Sequence, residues 1–193
     1  MVRDVLVKEK ILNAAAKRMI KFGYRKVTMD EVAADLVMSK NTIYKHFQSK
    51  EDIAKCLVKR LQQQLNNALH NIGKEQKDPL KAFSDSVLIL RKQLGPWFDN
   101  FFREIPTELP ALWEEFLRYR NEKILDIQSL VESGIKKGGF RKVNSSIAVQ
   151  AYLGAIKAII APRFLEEEHM TFDQALDAIL DIWSNGIIRR KRI

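Results

Sequence analysis

Apolar residues recur at helical spacing along almost the whole chain, and no segment alternates with the two-residue period of a half-buried strand. Ile11, Ala15, Met19 and Phe22 share one face of a helix over residues 5–22, which Gly23 ends. Val32, Ala33 and Leu36 mark a short second helix. Thr28 can cap it, and Glu31 three residues later completes a capping box. Ser39 can cap a third helix, in which Ile43 and Phe47 recur at i, i+4 as inward anchors. A fourth, capped by Ser49, starts at Lys50 and carries Ile53, Leu57, Leu61, Leu65 and Leu69 on one side. A polar link over 73–78 follows. Pro79 suits the first turn of a fifth helix, predicted to end near Gly95-Pro96. Beyond the aromatic stretch 97–102, Pro106 and Pro110 break the chain before a helix over 111–135. Gly138-Gly139 makes a turn, and two helices near 145–161 and 171–188, separated by Pro162, close the chain. The pattern predicts an all-α protein of about nine helices.

The stretch 28–53 is the most informative. Its middle helix buries Ile43 and Phe47 and leaves Lys40, Asn41, Thr42, Tyr44, Lys45 and His46 to face outward. A short helix, a tight turn and a second helix with polar donors on its free side is a helix-turn-helix, which places side chains in the major groove of DNA.

Charge sharpens this reading. The net charge of +9 is uneven: residues 1–60 hold 14 basic against 7 acidic groups, a net of +7. Residues 61–188 hold 15 against 17, a net of −2, and Arg189-Arg190-Lys191-Arg192 adds the last +4. The basic excess sits with the helix-turn-helix, as counterion release from a phosphate backbone requires. The terminal basic run is read as a solvated helix end.

Other chemistry finds little support. His46, His70 and His169 lie far apart, without metal-ligand spacing. There is no glycine-rich phosphate loop and no nucleophile elbow, so an enzyme is not expected, nor a metal or cofactor. The single cysteine, Cys56, rules out an intrachain disulfide and fits a reducing cytoplasm. No run is apolar enough to cross a membrane, and the first ten residues are too charged for a secretory signal.

The first third of the chain resembles the TetR/AcrR family of bacterial transcriptional regulators. The resemblance rests on Ile11-Leu12-Asn13-Ala14-Ala15, Phe22-Gly23-Tyr24, Val27-Thr28, Thr42-Ile43-Tyr44-Lys45-His46-Phe47 and Ser49-Lys50-Glu51. One departure matters: Val37 stands where the family usually has Gly, in a turn that favours positive φ, so either the turn is built differently here or it carries strain on the order of 1 kcal/mol or more. Asn41 stands where many relatives have Gly or Lys.

The resemblance implies an N-terminal three-helix DNA-binding domain (1–50) and a C-terminal helical ligand-binding and dimerisation domain (51–193), with helix 4 bridging. The candidate DNA contacts are Thr28, Ser39, Lys40, Asn41, Thr42, Tyr44, Lys45, His46 and Lys50. By residue type, Lys40, Asn41, Thr42 and Lys45 suit base edges, while Thr28, Tyr44, His46 and Lys50 suit phosphates. A homodimer is expected through small and apolar stripes in the last two helices: Ala148, Ala151, Ala155 and Ala158, then Phe172, Leu176, Ile179 and Trp183. A ligand cavity is implied among Trp97, Phe98, Phe101, Phe102, Trp113, Phe116 and Tyr119, with His70, Arg103 and Tyr152 as polar candidates. The expected protein is a cytoplasmic repressor that binds a palindromic operator in double-stranded DNA and is released by a small hydrophobic or aromatic effector. The alternatives are a ligand-independent regulator or activator, and a redox sensor acting through Cys56.

Overall fold

The computed structural model describes residues 2–75, 78–159 and 164–187. The helix ends expected at 160–161, Pro162 and the Arg189–Arg192 run lie outside them. Among the described residues the fold is all-α, with no β-sheet. The helices are α1 Val2–Phe22, α2 Met29–Asp35, α3 Lys40–His46, α4 Lys50–Glu75 and α5 Pro79–Trp97. After a π-helical turn, Phe98–Phe102, come α6 Arg103–Glu108, α7 Pro110–Lys136, α8 Ser145–Ile159, α9 Phe164–Glu167 and α10 Phe172–Ile187.

Helix α5 does not stop at Gly95-Pro96; Pro96 lies inside it. Proline has no N–H for the carbonyl one turn back, and the backbone continues through the wider π turn. Pro106 likewise sits within α6, whereas Pro110 opens α7, where a missing N–H costs nothing.

The chain forms two compact units, and the division falls elsewhere than at residue 50. The first is Met1–Gln64 with Pro96–Phe116; the second is Leu65–Gly95 with Leu117–Ile193. The aromatic segment therefore belongs with the helix-turn-helix. In the first unit Phe101 packs against Trp97 at 5.2 Å and Phe102 at 5.4 Å, and Phe102 against Phe116 at 4.6 Å. Phe101, Phe102 and Ile105 are fully buried, as are Ile11, Met19, Ile43 and Ile53 of the same unit.

The second unit has its own core of Phe83, Val87, Val131, Phe140, Val149, Tyr152, Trp183 and Ile187. Phe83 stacks on Trp183 at 4.3 Å, and the indole Nε1 donates to the Ala148 carbonyl at 2.8 Å. Gly134 lets the Phe140 ring lie against α7: a Cβ there would come within 2.1 Å of the ring. Thr171 and Gln174 form a capping box at the start of α10.

This core takes up the α10 part of the expected dimer surface and Ala148 of the α8 part. Phe172, Leu176 and Trp183 are buried within the unit, Ile179 packs against its core, and Ala148 is buried too. The apolar moment of α10 is directed into its own chain because Phe83 and Tyr152 supply a partner face. What stays outside keeps Ala151 and Ala158 of the expected stripe and adds neighbours to them. Ile147, Ala151, Gly154 and Ala158 are exposed along α8, and Ala178, Ile182 and Gly186 along α10. Ile147 and Ile182 are 68% and 73% exposed.

Candidate nucleic-acid interface

Local chemistry sets the two helices of the motif. Thr28 caps α2: its Oγ1 accepts from the Glu31 N–H at 3.2 Å, while its own N–H donates to Glu31 Oε2 at 2.9 Å. Arg18 of α1 ties down the far end, donating to both Asp35 oxygens at 2.5 and 2.8 Å and pairing with Glu31 at 3.2 Å. Ser39 caps α3, accepting from the Thr42 N–H at 3.1 Å, and its hydroxyl shares a 2.8 Å hydrogen bond with the Thr42 hydroxyl.

The Arg18 clamp makes the motif acid-sensitive. Hydrogen bonds from Arg18 hold the Asp35 carboxyl below its usual range. The Thr28 backbone and hydroxyl donors do the same for Glu31, with Arg18 adding to them. A carboxyl depressed in the fold stabilises above its unfolded pKa, about 4, and that stabilisation is lost as pH falls through the folded value. The thermal midpoint is therefore expected to fall more steeply below about pH 4 in the wild type than in Asp35→Asn. Parallel curves for the two proteins would contradict this account.

Between the capped helices lies the turn. Helix α2 ends with the Met38 N–H on the Ala33 carbonyl at 3.0 Å and the Val37 N–H on the Ala34 carbonyl at 3.1 Å. This is a Schellman ending, which needs its residue after the cap in the left-handed region. That residue is Val37, at φ 52. Of the two possibilities for a β-branched residue there, the turn keeps the positive φ and carries a strain on the order of 1 kcal/mol or more.

Helix α3 is anchored by Ile43 and by Phe47 just past its end, both buried. Asn41, Tyr44 and Lys45 are exposed, and Thr42 and His46 half-buried. Lys40 is exposed and pairs with Asp30 at 2.7 Å, an exposed contact that exchanges readily for another anion. Thr28 and Ser39 thus have structural duties as caps, and the Thr42 hydroxyl is engaged with Ser39. Lys50 differs most from the sequence reading. Its ammonium turns to the Tyr24 carbonyl at 2.9 Å and the Arg25 carbonyl at 3.4 Å, and lies 4.2 Å from the Tyr24 ring centre. Burial pulls its pKa below the ordinary lysine range, with Glu108, Glu104 and Glu31 opposing.

Sequence reasoning missed the support beneath the motif. Asn100 in the π turn donates to the Ile20 and Lys21 carbonyls at 2.9 and 3.2 Å, at the end of α1. Glu104 accepts from the Arg25 N–H at 2.7 Å, and Glu108 pairs with the Arg25 guanidinium at 2.8 Å. Gly23, at φ +83, gives Glu104 room: a Cβ there would lie 2.7 Å from its carboxylate. These partners stand about eighty positions apart in sequence, and no local signal links them.

Of the expected ligand-site residues, Trp97, Phe98, Phe101, Phe102, Arg103, Trp113 and Phe116 lie in the first unit, and His70, Tyr119 and Tyr152 in the second. Tyr119 donates to Asn66 Oδ1 at 3.0 Å, and Tyr152 packs on Phe83 and Trp183. His70 is exposed and Cys56 half-buried.

A capped α2, a Schellman turn and an anchored α3 with an outward polar face define a helix-turn-helix DNA-binding protein. Residues 11–56 match the model of the bacterial regulatory proteins of the tetR family. Over 93% of the chain and 95% of the relative, the sequence is 22% identical to YvaF of Bacillus subtilis strain 168, described as an uncharacterized HTH-type transcriptional regulator. It is 26% identical to YhgD of the same organism, over 91% of this chain and 93% of that one. The fold is shared with a putative transcriptional regulator of Saccharomonospora viridis in complex with choline, at a TM-score of 0.78, 18% identity, and coverage of 95% and 98%. The chain therefore carries the tetR-family DNA-binding motif and is similar along most of its length to HTH-type transcriptional regulators. Its relatives are regulators rather than enzymes. None of its described helices is long and apolar enough to cross a membrane.

Proposed function

We propose that this regulator is a cytoplasmic, ligand-responsive repressor that binds a palindromic operator as a homodimer and is released by a small, largely apolar effector. The observation that carries the dimer is the exposed stripe of small and apolar side chains on α8 and α10, Ile147, Ala151, Gly154 and Ala158 beside Ala178, Ile182 and Gly186. Small residues let a second copy's helices approach closely, and two-fold pairing gives reading helices roughly 34 Å apart, one turn of DNA. Lys40, Asn41, Thr42 and Lys45 read bases; Tyr44, His46, Thr28 and Ser39 hold the backbone. Lys50 joins them if its ammonium leaves the Tyr24 and Arg25 carbonyls.

Effector binding is assigned to the second unit. Its support is the choline complex of the Saccharomonospora viridis protein and two polar atoms of this unit, Gln93 Oε1 and Arg120 Nε, buried without a hydrogen-bond partner. Such atoms are uncommon in native proteins, and a ligand would satisfy them. The domain division for function follows: α4, with Lys50–Gln64 in one unit and the rest in the other, acts as the lever, with a coupling of about 1–3 kcal/mol.

The test is selection of bound DNA from random sequence, with sedimentation of the protein and of Ile182→Arg. An inverted repeat is expected, with a dimer in the wild type and a monomer of about tenfold or greater weaker operator binding in Ile182→Arg. An asymmetric site bound by a monomeric wild type would sink the reading. A thermal-shift screen of apolar compounds, each positive then tested for operator release, decides the effector.

A further inference from the structure

Val37 is the most strained non-glycine residue of the motif and the most exposed large apolar side chain of the chain's described residues, at φ 52 and 94% exposed. The two observations belong together. The Schellman ending of α2 requires the left-handed backbone, which glycine adopts freely and a β-branched residue does not. A side chain in such a position is ordinarily repaid by burial. Here the isopropyl group covers almost nothing: the turn's hydrogen bonds are open equally to glycine, and the valine side chain itself gains no apolar burial in return for the strain. Strain held against the fold's interest points to a use outside it.

The position narrows that use. Val37 lies two residues before Ser39, the cap of α3, and beside half-buried Leu36 and Met38. Its own N–H and that of Met38 are both bound to carbonyls of α2, so its backbone is fixed on the approach to the reading helix. In the major groove, the apolar group that a methyl-bearing side chain can recognise is the C5-methyl of thymine. We propose that Val37 is a specificity-determining DNA contact, packing on a thymine methyl at the edge of each half-site. The proposal rests on α3 entering the major groove, and it adds an apolar contact from the turn to the polar ones assigned to α3.

The test compares the wild type with Val37→Gly and Val37→Asn on the selected operator, and on the same operator with each thymine replaced in turn by uracil. Wild-type binding to that operator is the control that keeps failure of the DNA reading distinct. Val37→Gly is expected to raise the thermal midpoint by about 2–4 °C while weakening binding about three- to tenfold. Val37→Asn, which tolerates the left-handed backbone without an apolar side chain, should bind as weakly as the glycine variant. Uracil at one position per half-site should reproduce the loss in the wild type and add nothing in either variant. A purely structural residue moves stability and affinity together; here they move in opposite directions. Unchanged affinity in Val37→Gly, wild-type binding in Val37→Asn, or indifference to every uracil would each overturn the proposal.

Discussion

Phe101→Ala is expected to destabilise the DNA-reading unit by about 3–5 kcal/mol, the range for removing a fully buried aromatic ring. The ring is 0% exposed and touches both Trp97 and Phe102. Its neighbour Asn100 holds the last carbonyls of α1, and Glu104 holds the turn before α2. A domain of ordinary stability, about 5–15 kcal/mol, loses a large part of it. Hydrogen exchange should show lost protection in α1 and in the first turns of α4, while α8 and α10 keep theirs. Operator affinity should fall with the folded fraction. A cost below about 1 kcal/mol would mean that the segment 96–116 does not support the reading head.

Gly134→Ala should act on the other unit, by about 3 kcal/mol. Its new Cβ would stand 2.1–2.9 Å from three atoms of the Phe140 ring. That ring is 2% exposed, and the Phe140 N–H is bound to the Gly134 carbonyl at 3.1 Å, so the ring has no easy retreat. Expelling it opens a core shared with Phe83, Val131 and Trp183. Protection should be lost in α8 and α10 and kept in α1 to α3, the reverse of the Phe101 pattern. Adding Phe140→Ala should leave the double variant no worse than Phe140→Ala alone, because the clash has been removed. Strict additivity of the two costs would refute the steric cause.

The same pair of substitutions marks what was legible in the residues. The helix-turn-helix was, because each of its parts is local. The Thr28–Glu31 box, the Ser39 cap, the Ile43–Phe47 spacing and the left-handed turn at Val37 all link residues within one or two turns of each other. Local spacing could not tell which unit would take the aromatic stretch after Gly95. Nor could it tell that Lys50 would turn inward to the Tyr24 carbonyl. In α10 the period was right, but Phe172, Leu176 and Trp183 are buried within their own chain, Trp183 against Phe83 and Tyr152.

The sequence by itself determined an all-α chain, its helix starts, a basic first third and a DNA-reading motif in TetR-family form. These follow from side-chain period, capping and charge, whose range is a few residues. Only the tertiary structure decided that residues 96–116 support the reading head, and that α10 turns the expected apolar face inward while Ala151 and Ala158 of α8 stay exposed. It alone decided, too, that the Val37 side chain stands clear of the protein. Each depends on which surfaces meet across long stretches of chain, and burial is settled only when both surfaces are in place.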